Sequence, residues 1–107
     1  MTRRTKKQTP DSIVLKTIEG LQAYKKEHPK AKIEAYRRNP AAVRVRIIDP
    51  DFAGKDIVQR EDIVWGFLDR LPDDVRGDIT MLVLVTPDKV GKSPASHEFD
   101  HPMPSLL

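Results

Sequence analysis

The sequence of 107 residues contains no cysteine. This absence excludes disulfide bonds, a thiolate nucleophile and thiolate metal sites, and it favours a cytoplasmic location. No run approaches the roughly eighteen apolar residues that a membrane-spanning helix needs, so no membrane span is predicted. The basic N-terminus is not followed by an apolar segment, and we therefore expect no secretory signal.

Motifs of known catalytic sites are also missing. The sequence has no Gly-x-Ser-x-Gly, no glycine-rich phosphate loop ending in Lys-Ser or Lys-Thr, and no His-Glu-x-x-His. The adjacent carboxylates of Asp73 and Asp74 are better explained by helix capping than by acid–base chemistry. We therefore predict that the protein is not an enzyme and holds no cofactor.

Histidine is scarce, with three residues in the chain. His97 and His101 are four positions apart, so on a helix they could share Zn²⁺ or Ni²⁺ with a nearby carboxylate. The alternative is a silent segment, because this stretch has no apolar periodicity and runs into Pro102. We predict no metal site there, and we expect His28, which precedes Pro29, to be an exposed residue at a helix end.

Acidic residues are absent from the first ten positions, which hold four basic residues. The rest of the chain is close to neutral, so the net charge of +3 is weak evidence for nucleic-acid binding. We predict a disordered basic tail over residues 1–10, one domain over residues 11–88 and a flexible C-terminal tail over residues 89–107. In the alternative, Phe99, Leu106 and Leu107 of the last segment dock onto another surface.

Apolar periodicity predicts the order helix, strand, strand, helix, short helix, strand. Asp11 or Ser12 is expected to cap the first helix. Strands at 32–36 and 43–47 should pair antiparallel, and a helix connects the second of them to a strand at 79–85. A crossover of this kind makes the last two strands parallel. The predicted fold class is α+β: a two-layer α/β sandwich, with a three-stranded mixed sheet and helices on one face.

Charge is unevenly distributed along the predicted domain. Basic residues cluster in its first half and acidic residues in its second half. A solvated surface explains this pattern, and a basic docking face is the alternative. For nucleic acid, the candidate contacts are Arg37, Arg38, Arg44, Arg46 and Lys55.

The segment from Phe52 to Trp65 resembles the signature of the BolA family, in which Phe-x-Gly precedes a helix carrying an apolar residue, Arg-His and Val-Tyr. The matching residues here are Phe52, Gly54, Val58, Arg60, Val64 and Trp65. The strand at 43–47 stands where the family has a strand, and residues 82–87 resemble its last strand and the Thr-Pro that follows. The resemblance covers about residues 12–88.

This resemblance implies a fold related to the class II KH domain, and a role in stress-response regulation or iron–sulfur traffic with a monothiol glutaredoxin. The two family histidines are replaced by Glu61 and Asp78. In the family the second of these histidines is an iron–sulfur ligand, and carboxylate oxygen is a poor ligand for cluster iron. The resemblance therefore implies that iron–sulfur ligation is lost. The Gly-x-x-Gly loop of KH domains is also absent, because Gly54 is followed by Lys55, Asp56 and Ile57.

We therefore predict a small adaptor or regulatory protein that acts through protein contacts, with a KH-like nucleic-acid binder as the alternative. The candidate protein contacts are Phe52, Gly54, Arg60 and Trp65. Trp65 could instead complete the core, and Arg60 could pair with Asp56 or Asp62 and serve only the fold. A glutaredoxin-type partner and a homodimer both remain open at this point.

Overall fold

The computed structural model describes residues 10–103, with side chains from Ser12 onward. Most of the predicted disordered tail and the predicted docking of Leu106 and Leu107 lie outside the described residues. Within residues 10–103, no helix combines the length and the apolar character needed to cross a bilayer.

The order of helices and strands predicted from the sequence is confirmed. The elements are α1 (Pro10–Glu27), β1 (Lys32–Asn39), β2 (Ala42–Ile48), α2 (Ile57–Leu68), α3 (Asp73–Asp78), β3 (Ile79–Val85) and α4 (Pro94–Asp100). Short 3-10 turns at Pro50–Phe52 and Pro87–Lys89 follow β2 and β3. Helix α1 begins at Pro10, so Asp11 and Ser12 lie inside the helix rather than at its cap. Proline suits the first turn because the amide it lacks has no partner within the helix.

The sheet has the order β1-β2-β3, which leaves β3 at an edge. Strands β1 and β2 pair antiparallel, with Ala35 opposite Val45. Strands β2 and β3 pair parallel, with Val45 beside Leu82 and Ile47 beside Leu84. This is the predicted mixed sheet, and its parallel pair follows from the crossover through α2 and α3.

The main core lies between the sheet and the helices α1 and α2. Val43, Val45 and Ile47 project from the central strand, and all three are fully buried. Their alternation along β2 puts them on one face, since successive side chains of a strand point to opposite sides. The residues that pack on them from the helices include Leu21, Tyr24, Val64 and Leu68.

Helix α4 covers the opposite face of the sheet. Phe99 packs against Val83 and Val85 from β3, and its ring meets the Tyr36 ring edge-on at 4.8 Å between centroids. Tyr36 also donates a hydrogen bond from its hydroxyl to the Phe99 carbonyl at 2.7 Å. Helices α1 to α3 therefore lie on one face as predicted, and α4 adds a layer on the other.

The prediction that residues 89–107 lack regular structure is wrong for residues 94–100. Ser93 caps α4 by accepting a hydrogen bond from the Ser96 amide, and Pro94 occupies the first turn. The segment is short and carries one large apolar residue that becomes buried, so it shows no periodicity. The docking suggested as the alternative is found for Phe99, with the protein's own sheet as the surface.

Candidate functional site

The turn between β2 and α2 is shaped by the Phe-x-Gly residues. Phe52 is buried in the main core. Gly54 has a φ of 81°, which an L side chain rarely adopts. Asp56 then caps α2 in a capping box, in which Gln59 N donates to Asp56 Oδ1 and Asp56 N donates to Gln59 Oε1. The side chain of Phe52 is therefore a core contact, and Gly54 determines the path of the backbone.

Arg60 joins α2 to the edge of the sheet. Its guanidinium donates to the carbonyl of Lys55 at 2.9 Å and to the carbonyl of Leu84 at 2.8 Å. It also lies over the Phe52 ring, 5.5 Å from the centroid. The alternative in which Arg60 serves the fold is thus supported, with backbone carbonyls rather than Asp56 or Asp62 as its partners. By occupying a carbonyl of edge strand β3, Arg60 also makes that part of the edge less able to pair with another strand.

Trp65 is half-buried and packs against the main core. It also lines a cleft of about 190 Å³ between α2 and β3, together with Glu61 and Ile79–Leu82. Trp65 therefore contributes to the core, as the alternative from the sequence had it. Part of its ring stays accessible beside the edge of β3.

An apolar surface that the sequence did not single out lies at the first turn of α2. Ile57 is 54% exposed and Val58 is 61% exposed. Apolar residues of an amphipathic helix usually face the core, and these two side chains do not. The apolar residues of α2 that pack on the core begin at Ile63. The signal for this exposure was the position of Ile57 and Val58 directly after the Asp56 cap. The first turn of a helix often extends beyond the packed layer.

Ile57 also lines a cleft of about 300 Å³ that runs along the outer edge of β3. Its other lining residues are Arg60, Leu82–Val85, Lys89 and Ser93–Ala95. The cleft therefore joins the first turn of α2 to the start of α4. Its floor is mainly apolar, and Lys89 supplies a positive charge.

The basic docking face that the sequence left as an alternative is covered by α4. Arg44 pairs with Glu98 at 3.0 Å. Arg46 is 5% exposed and pairs with Glu34 at 2.7 Å and Asp100 at 2.9 Å. Its guanidinium carbon also lies 4.5 Å from the centroid of the Phe99 ring. These cations are neutralised inside the protein, and Arg46 is out of reach of an external phosphate.

The remaining predicted nucleic-acid contacts also have partners within the chain. Arg37 pairs with Asp78 at 3.0 Å. Arg38 donates to the Met103 carbonyl and Lys55 to the Asp51 carbonyl. The five basic residues thus do not form one open surface.

Comparison with known proteins identifies a similar fold. No protein-family model matches the sequence, and no curated protein does. Among solved structures, BolA1 from Arabidopsis thaliana superposes with a TM-score of 0.51 and 20% sequence identity. The match covers 77% of this chain and 96% of BolA1. The arrangement of helices and strands described above is therefore a BolA-like fold.

Proposed function

We propose that this protein is a non-enzymatic adaptor or regulator of the BolA type that acts by binding another protein at the first turn of α2. The BolA-like fold supports the general role. The observation that carries the location is the exposure of Ile57 and Val58 beside the cleft along β3. Adjacent exposed aliphatic side chains next to an apolar cleft are typical of a binding surface. Lys89 at the cleft favours a partner with an acidic group next to its apolar contact.

The family's iron–sulfur chemistry does not fit the residues present. Asp78 stands at one family histidine position, and its carboxylate accepts a hydrogen bond from Arg37 at 3.0 Å. Glu61 stands at the other position and lines the small cleft with Trp65. Both offer oxygen, which is a poor donor for cluster iron. The proposed role therefore involves no cluster held by these two positions.

The KH-like alternative is not favoured. For Arg44 and Arg46 to bind a nucleic-acid backbone, α4 would have to leave them, with loss of the ion pairs to Glu98 and Asp100.

The test is quantitative affinity capture with Val58→Asp and with a matched control, Leu15→Asp. Leu15 lies on α1 and is 59% exposed, so it matches Val58 in exposure and apolar character. We expect Val58→Asp to reduce capture of a specific partner by at least about tenfold, since a buried charge without a pairing group is costly at an interface. Leu15→Asp should capture the partner as the wild type does.

Equal capture of every partner by both variants would reject this surface. Sedimentation of the pure protein identifies the case in which the partner is a second copy. There, a concentration-dependent dimer would be lost in Val58→Asp and kept in Leu15→Asp.

A further inference from the structure

One group of potential metal ligands lies apart from the proposed binding surface, at the C-terminal end of α1. His28, Asp49 and Asp51 place three ligand atoms within 4.8 Å of one another. His28 Nδ1 is 2.8 Å from Asp51 Oδ2 and 3.4 Å from Asp49 Oδ2. His28 directly follows α1, and the two aspartates flank Pro50 after β2. The fold thus joins residues that are more than twenty positions apart.

The histidine ring is held in place before any ligand arrives. It stacks on the ring of Tyr24 with 4.2 Å between centroids and an angle of 17°. Its side chain is 23% exposed, so His28 is not the freely exposed residue that the sequence predicted. The ring orientation directs Nδ1 towards both carboxylates.

Asp49 is equally constrained. Its side chain is fully buried, and Oδ2 accepts a hydrogen bond from the Tyr24 hydroxyl at 2.5 Å. Oδ1 accepts a hydrogen bond from the Asp51 amide at 2.9 Å. Partners of this kind orient a carboxylate in the way that outer-shell groups orient metal ligands.

The charges at this cluster are not balanced by a permanent cation. Among the described residues, Asp49 forms an ion pair with His28, and no lysine or arginine pairs with it. A buried carboxylate is stable only when it is paired and hydrogen-bonded. His28 Nδ1 lies at hydrogen-bond distance from Asp51 Oδ2, at 2.8 Å, and farther from Asp49 Oδ2, at 3.4 Å. A divalent cation would satisfy both.

The separations also match a coordination shell. Zinc bonds of about 2.0–2.2 Å to nitrogen and oxygen place neighbouring ligands of a tetrahedral site roughly 3.4 Å apart. The distance from His28 Nδ1 to Asp49 Oδ2 has this value. Asp51 is closer to Nδ1, but its side chain is 59% exposed and can shift by a small rotation. This exposed side also gives an ion access to the site.

We propose that His28, Asp49 and Asp51 bind a divalent transition-metal cation of the Zn²⁺ type, with water completing the coordination. One imidazole nitrogen with two carboxylate oxygens suits Zn²⁺ and its neighbours and is too poor in oxygen for Ca²⁺. The bound ion links the end of α1 to the turn that leads into α2. This site does not depend on the proposed protein-binding function, and either can fail without the other.

The test uses the full chain without an affinity tag, titrated with Zn²⁺ by calorimetry and with Co²⁺ by visible absorption. We expect one ion per chain and a melting temperature that rises with Zn²⁺ concentration. His28→Gln and Asp51→Asn should each weaken binding by at least about tenfold. Because the Asp51 side chain is exposed, Asp51→Asn should fold normally. This variant therefore keeps the test decisive if His28→Gln does not fold.

The matched control is the double variant His97→Gln with His101→Gln, which removes the two neighbouring histidine rings at the C-terminal end of α4. We expect this variant to bind Zn²⁺ with unchanged affinity. Absence of binding to the wild type would overturn the proposal. So would loss of binding in the α4 variant with retention in Asp51→Asn, because the ion would then belong to the other histidines.

Discussion

At the scale of single residues, the contact between Tyr24 and Asp49 has the clearest energetic consequence. Both side chains are fully buried, and the phenol donates to the carboxylate. Burial raises the pKa of Tyr24 well above its ordinary value, and the hydrogen bond and negative charge of Asp49 raise it further. The phenol therefore stays protonated in the folded protein, while it ionises in the unfolded chain near pH 10.

The first prediction concerns alkaline pH. Because the pKa of Tyr24 is raised in the folded protein, its contribution to the free energy of unfolding is fully present below about pH 10. This contribution is lost as the pH rises further, since the unfolded chain then binds fewer protons than the folded one. The free energy of unfolding should fall by up to about 1.4 kcal/mol per pH unit from this group. Tyr24→Phe should remove that part of the slope and should cost about 1.5–3 kcal/mol at neutral pH. Urea unfolding of both proteins between pH 8 and pH 11 measures this, and parallel curves would contradict it.

At the scale of elements, α4 depends on one aromatic ring and two ion pairs. Phe99 contacts the Tyr36 ring and the Arg46 guanidinium. The Arg46 guanidinium holds the pKa of Asp100 below its usual range. The Met103 amide and the Arg44 guanidinium act in the same way on Glu98. Since these pKa values are lowered, the stabilisation by both carboxylates is present at neutral pH and is lost as acid protonates them.

The second prediction concerns Phe99→Ala. Removal of the ring should destabilise the protein by about 3 kcal/mol, as is usual when a buried phenylalanine becomes alanine. His97→Ala is the control on the same helix, and because His97 is exposed its effect should stay within about 0.5 kcal/mol. Urea unfolding gives both values. If Phe99→Ala were as mild as the control, α4 would contribute little to the stability of the sheet.

At the scale of the whole molecule, a BolA-like fold is present, and the proposed correspondence with the family pattern puts carboxylates at both of its histidine positions. Asp78 is the last residue of α3 and pairs with Arg37 of β1, so this ion pair links the junction of α3 and β3 to β1. Glu61 lies on α2 beside the edge of β3. A shared fold does not by itself carry the family's chemistry, so the donor atoms at these two positions decide whether an iron–sulfur cluster could be held there.

The third prediction tests this directly by co-expression with a monothiol glutaredoxin. The wild-type chain should yield no coloured complex. The double variant Glu61→His with Asp78→His should gain visible absorbance, because imidazole nitrogen suits iron better than a carboxylate does. Asp78→Asn controls for the lost ion pair with Arg37 and should stay colourless. A coloured wild-type complex that depends on this chain would contradict the proposed loss of ligation.

Much of the fold could be predicted from local pattern. The alternation of Val43, Val45 and Ile47 predicted the central strand, and the crossover after β2 predicted the parallel pair. Candidate contacts were harder to predict, because a side chain's type does not determine its exposure. Phe52 is buried, and the Arg60 side chain donates to backbone carbonyls. The exposed apolar surface is found instead at Ile57 and Val58.

The sequence by itself determined the order of elements and the mixed sheet, since these depend on periodicity along the chain. Tertiary structure alone decided that α4 covers the arginines of β2. It also decided that His28 meets two aspartates more than twenty positions away. Such contacts depend on how distant segments pack, and a periodic pattern along one segment carries no information about its partner.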